Sequence, residues 1–115
     1  MIKKKEEMQN VEIEHMRDGD GIIYQQRILG ENDMAKHARL FANMRIRKGC
    51  SIGPHDHVNE TEYYYILSGE GIVTEADGEK TVKAGDVVIT GGGASHAIRN
   101  DKDEDLVFIA IIILD

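Results

Sequence analysis

The chain has 115 residues, 41% hydrophobic and 30% charged, which is the balance of one globular domain with room for a single core. Its formal net charge of −7 gives no basic footprint for nucleic acid and disfavours anionic membrane surfaces. The basic N-terminus (Lys3, Lys4, Lys5) has no apolar run behind it, so no signal peptide is expected. The longest apolar stretch, residues 106–114, is far short of the roughly 20 residues a membrane helix needs. The single cysteine, Cys50, excludes an internal disulfide, and a cytoplasmic location is the expectation.

Residues 1–10 are charged and weakly patterned, and read as an N-terminal arm ahead of a domain spanning 11–115. Val11, Ile13 and His15 then alternate with Glu12, Glu14 and Met16, a strand signal. Asp18-Gly19-Asp20-Gly21 is a turn, and residues 22–29 resume as a strand. In residues 34–47 the composition suits a helix, yet from Arg39 onward Leu40, Ala42, Met44 and Ile46 alternate with polar or aromatic neighbours. The period of two decides for a strand over 38–47 that ends in the turn Lys48-Gly49.

Residues 62–67, with three consecutive tyrosines, predict a strand ending at Ser68-Gly69. Asp77-Gly78 between residues 71–75 and 80–83 is a strong hairpin signal. Residues 87–90, 94–99 and 106–114 complete a count of eight to ten short strands, the rhythm of an all-β sandwich or barrel.

The chemistry concentrates in His55-Asp56-His57 followed by Glu62. In a strand, His55 and His57 project to one side, roughly 6.5–7 Å apart along the backbone, so both imidazoles can reach one ion. The polar residues Asn59 and Glu60 can turn the chain, bringing Glu62 beside them on a return strand. His96 lies behind Gly91, Gly92 and Gly93, whose freedom lets that backbone bend sharply. A lone histidine is more often an ordinary polar residue, and His15 and His37 are read that way. Two histidines at i and i+2 followed by a carboxylate point instead to metal.

Read with their flanks, these residues form Gly49-x5-His55-x-His57-x4-Glu62-x6-Gly69 and Gly85-x5-Gly91-x-Gly93-x2-His96-x3-Asn100. Both resemble the two signature motifs of the cupin superfamily. Every fixed position of the first is matched, whereas in the second Gly91 stands where the family usually has proline. The resemblance implies an all-β jelly-roll barrel of six to eight strands with a metal near its centre, held by His55, His57, Glu62 and His96. It also implies a homodimer.

Four protein ligands on a six-coordinate ion would leave two positions open, suited to a bidentate oxygen donor. The ligand set has no sulfur, which leaves Mn, Fe, Ni, Co and Zn as candidate metals. The resemblance suggests a small oxygen-rich metabolite as ligand, with oxalate-decarboxylase-like, dioxygenase or isomerase chemistry. The competing expectation is a non-catalytic small-molecule or metal-binding sensor module.

Strand parity adds secondary candidates. If Glu62 faces inward so does Tyr64, either as a proton donor near the metal or simply as core packing. Tyr63, Tyr65 and Leu67 would then face out, and outward aromatics suit a subunit contact. Arg39 and Arg45 are expected to point outward onto a solvated surface, opposite the more apolar face of their strand. The alternative is that their face lines the pocket, where an arginine could clamp a substrate carboxylate. Cys50 is left out of the ligand set.

Overall fold

The computed structural model describes all residues, 1–115, and contains ten strands and no α-helix. The strands are β1 (Gln9–Glu14), β2 (Ile22–Arg27), β3 (Ala38–Ile46), β4 (Ser51–Asp56), β5 (Glu60–Ser68), β6 (Glu70–Glu75), β7 (Gly78–Lys83), β8 (Val87–Gly91), β9 (Ser95–Arg99) and β10 (Leu106–Leu114). They form a six-stranded sheet in the order β1-β2-β3-β10-β5-β8 and a four-stranded sheet in the order β4-β9-β6-β7. Every pairing is antiparallel. The result is the expected all-β jelly roll.

The sheets meet over an apolar core. Ile23, Met44, Ile46, Tyr64, Ile66 and Phe108 enter it from the larger sheet, and Ile52, Val73 and Ile98 from the smaller one. β10 explains its own composition. It lies between β3 and β5, so its inward residues Leu106, Phe108, Ala110 and Ile112 are buried while Ile109 and Ile111 fill the outer face of the sheet centre. A central strand with both neighbours in place has no edge to solvate, which favours a nearly continuous apolar run. The period-two reading of residues 38–47 holds, with Ala42, Met44 and Ile46 buried.

Two expectations shift at element ends. β1 starts at Gln9, two residues before position 11, and the Lys3 ammonium meets the Asp33 carboxylate at 2.7 Å, tying the first residues to the barrel. β5 starts at Glu60 rather than at residue 62.

The motif glycines mark turns. Gly49, Gly69, Gly85 and Gly93 all have left-handed backbone. At Gly69 a Cβ would also stand 2.4 Å from the Asp105 carbonyl oxygen, so both torsion and space require glycine. Gly91, the departure from the family pattern, is different. It closes β8 opposite Thr61 and has no left-handed torsion, so losing the proline leaves the strand pairing intact. Asn100 acts within the fold: fully buried, it donates to the carbonyls of Ile46 and Glu104 and accepts from the Lys102 N–H, joining the end of β3 to the loop before β10.

Candidate metal centre

The register of the smaller sheet builds half the centre. β4 pairs with β9 so that His55 lies directly opposite His96. The ladder slips between Ile52 and His55, at Gly53-Pro54, where proline has no N–H to give it. His57 follows the end of β4, its N–H donating to the Ala94 carbonyl and its carbonyl accepting from Gly93, so the glycine turn before His96 also anchors His57. The larger sheet supplies the rest. Glu60, Glu62, Tyr64 and Ile66 share the inward face of β5, and Tyr63, Tyr65 and Leu67 face out, as parity predicts.

His55, His57, Glu62 and His96 come together, each offering one ligand atom within 4.8 Å of the others. Three of the four are buried and the fourth is half-buried. Each histidine presents the same ring edge. The Nδ1 of His55 meets the Gly53 carbonyl at 2.8 Å, that of His57 a Glu60 carboxylate oxygen at 2.6 Å, and that of His96 the Thr90 hydroxyl at 2.7 Å. A carbonyl can only accept, so His55 carries its proton on Nδ1. Glu60 is ionised, with the Arg39 guanidinium and the His57 ring holding it at about 2 against the opposing effect of burial, so His57 donates from Nδ1 as well.

His55 and His57 therefore turn Nε2 lone pairs to the centre. His96, whose Thr90 partner can donate or accept, also brings its Nε2 there, around Glu62 Oε1. His57 Nε2 lies 2.9 Å and His96 Nε2 3.0 Å from that oxygen. His96 Nε2 is 3.1 Å from that of His57 and 3.0 Å from that of His55. Donors held about 2.1 Å from one ion at right angles are separated by about 3.0 Å, against about 3.4 Å in a tetrahedron. These four short separations match adjacent corners of an octahedron, while His55 Nε2 stands farther from Glu62 Oε1, at 3.7 Å.

Charge leads to the same conclusion. Burial by itself raises Glu62, and the facing histidines outweigh it and bring the carboxyl to about 2, so the group is an anion enclosed by protein. Burial meanwhile lowers the His96 pKa, against the pull of Glu62, and so favours the neutral ring. A shared divalent cation would satisfy the enclosed carboxylate and the imidazole nitrogens around it together. The donor set fits a divalent transition metal.

Tyr64 packs between the centre and the core, its ring stacked on His96 at 4.9 Å and tilted against Phe108 at 4.4 Å. Burial first, and the neighbouring Glu62 carboxylate second, hold its phenol well above the ordinary value, so it is a neutral O–H. His15 and His37 lie outside the cluster, as expected, and so does Cys50, which is unpaired and half-buried.

One placement is refined. Arg45 reaches outward, to Asp105 at 2.9 Å, and Arg39 is exposed as expected, but its guanidinium is engaged. It grips both oxygens of Glu60 at 2.8 Å and lines the cavity beside the centre. The attraction of an ionised carboxylate that already holds His57 outweighs hydration of the guanidinium. Sequence reasoning missed Glu60 and Thr90 as orienting partners. For Glu60 the signal existed, since it shares parity with Glu62 and Tyr64.

The cavity next to the centre has a volume of about 880 Å³ and opens between β1, β2 and the loop before β3. Its charged lining comprises Arg17, Arg27, Lys36 and Arg39 against Glu31 and Glu62, apart from the histidines. A chain of net charge −7 thus keeps a cationic cavity around its metal-capable cluster.

Residues 42–112 match the family model of the cupin domain. The chain is a cupin. Over 114 residues this cupin is 41% identical to an oxalate-binding protein of Thermotoga maritima, covering 99% of this chain and 94% of that protein. It superposes on the crystal structure of a predicted oxalate decarboxylase from Thermotoga maritima with a TM-score of 0.93 at 41% identity, covering 100% of both chains. A cupin superfamily protein from Desulfitobacterium hafniense DCB-2 shares the fold at 18% identity, with a TM-score of 0.68 over 81% of this chain and 78% of that one. No helix of this cupin is long and apolar enough to cross a membrane.

Proposed function

We propose that this cupin holds one divalent transition metal (Mn, Fe, Ni, Co or Zn) on His55, His57, Glu62 and His96, and binds a short chelating carboxylate of the oxalate class on it. The observation that carries this reading is the charge of the cavity. With Arg39 paired to Glu60, three further cationic side chains (Arg17, Arg27 and Lys36) face two lining acids. In a chain of net charge −7 the cavity is thus locally the more favourable place for an anion. The name of the Thermotoga maritima relative, an oxalate-binding protein, supports the same ligand class.

When bound, the metal would act as a Lewis acid toward the carboxylate oxygens. The chain's own residues fix the donors. Gly53, Glu60 and Thr90 each hold one Nδ1 and aim Nε2, and the carbonyl of Gly53 and the carboxylate of Glu60 also set the tautomer of His55 and His57. Binding is better supported than turnover. The two acids in the lining are Glu62, which belongs to the ligand set, and Glu31, which is exposed. A catalytic version is favoured by one observation, that Tyr64 carries the only hydroxyl in the lining and is neutral. In decarboxylation of a dicarboxylate, the carbon that loses CO2 takes up a proton, and Tyr64 is the residue we assign to deliver it.

The test is thermal unfolding of the metal-loaded protein with oxalate. A hundredfold excess over Kd adds about 2.7 kcal/mol and raises Tm on the order of 10 °C. The metal-free protein should show a much smaller rise. Absence of any rise in the loaded protein contradicts the reading, and release of formate would move it from binding to catalysis.

The same proposal includes a homodimer. On the outer face of the larger sheet, Tyr63 sits opposite Ile89 and Tyr65 opposite Val87, with Leu67 and Ile113 nearby, all exposed. A contiguous apolar face of this kind suits a protein contact. Light scattering should give twice the chain mass for the parent and the chain mass for Ile89→Lys, and a monomeric parent would contradict this part.

A further inference from the structure

Six arginines occur in the chain, and five have a visible partner. Arg27 donates to Gln25 and Gln9, Arg39 to Glu60, Arg45 to Asp105, and Arg99 to Glu79 and Asp101, while Arg47 lies over the Tyr24 ring. Arg17 has neither ion pair nor hydrogen bond from its side chain, yet it lines the cavity together with His55, His57, Glu62 and Tyr64.

The backbone holds it there at a cost. His15, Arg17 and Asp18 have φ of 51°, 54° and 63°, a left-handed run that L-residues with side chains seldom adopt. The run is clamped by two backbone approaches: a Cβ on Gly53 would stand 2.0 Å from the Arg17 carbonyl oxygen, and one on Gly19 would stand 2.2 Å from the Ser51 oxygen. Gly53 lies two residues before His55 in β4. The turn that carries Arg17 is thereby fixed to the strand that carries a ligand of the centre. Arg17 and Lys36, the two cations of the lining without a partner, are both exposed, and Lys36, on the loop before β3, has no such anchor.

We propose that Arg17 is the selectivity residue of the site, pairing with the carboxylate oxygens of a short dicarboxylate that the metal leaves free. This rests on the reading of the centre as a metal site for oxalate-class ligands. A guanidinium offers parallel donors matched to a carboxylate, which a flexible ammonium does not. A monocarboxylate bound through the metal alone has no second carboxylate for Arg17 to hold.

The experiment is calorimetric titration of the metal-loaded parent, Arg17→Gly and Arg17→Lys with oxalate and with acetate, alongside metal content and Tm. Glycine accepts the left-handed torsion, so Arg17→Gly should keep its metal and its Tm. Its Kd for oxalate should rise at least tenfold, that of Arg17→Lys by an intermediate factor, and acetate binding should stay within twofold. If the parent binds oxalate and Arg17→Gly binds it within twofold, the role of Arg17 is refuted and the metal–oxalate reading stands. An equal loss for acetate, or loss of metal from Arg17→Gly, also refutes selectivity. A loaded parent that does not bind oxalate overturns both.

Discussion

His57→Ala is expected to bind a divalent transition metal at least ~100-fold more weakly than the parent while keeping the barrel fold. Removing an outer-sphere partner alone typically costs 10–100-fold, and here a ligand is removed together with its orienting bond. His57 Nε2 stands 2.9 Å from Glu62 and 3.1 Å from the His96 nitrogen, so its loss opens one corner of the donor set. It also leaves Glu60 with Arg39 as its remaining partner. The strands around it depend little on that ring, since the backbone of His57 keeps its bonds to Ala94 and Gly93. Competition with a chromophoric chelator measures the change, and an affinity within threefold of the parent would remove His57 from the ligand set.

Phe108→Ala carries the largest expected effect on stability, a loss of about 3–5 kcal/mol. Phe108 is fully buried in the first half of β10, which itself sits between β3 and β5. Truncation removes a ring from the core and leaves a cavity against Tyr64, whose centroid lies 4.4 Å away. Tyr64 in turn stacks on His96, so the cavity frees a wall of the centre as well. Equilibrium urea unfolding of the metal-free protein reads the core contribution by itself. A loss under ~1 kcal/mol would show that β10 does not hold the two layers together as described.

Much of this was legible in the sequence because the governing signals are local. The alternation of Glu62, Tyr64 and Ile66 with Tyr63, Tyr65 and Leu67 states which face of β5 is buried, and the structure agrees. Asp77-Gly78 does form the hairpin between β6 and β7, with Gly78 opposite Glu75. The metal-capable residues were legible for a related reason, since two histidines at strand spacing fix their own geometry.

What stayed hidden depends on contacts between distant residues. That His55 lies opposite His96 follows from pairing β4 with β9, and nothing within either strand announces it. Starting β5 at residue 62 concealed Glu60, and with it the reason Arg39 turns to the cavity. The left-handed Arg17 is the hardest case. Asp18-Gly19-Asp20-Gly21 advertises a turn, but the left-handed torsions extend ahead of it to Arg17, a side chain with no preference for them. Only the packing of Gly53 against Arg17 makes sense of it, and that contact spans 36 positions of sequence.

The central claim is that His55, His57, Glu62 and His96 are a metal centre. Elemental analysis of protein purified without chelator tests it most directly, with His57→Ala prepared alongside. The parent should carry about one divalent transition ion per chain and the variant little or none. A parent free of transition metal that also fails to take up Mn, Fe, Co, Ni or Zn on addition would contradict the account.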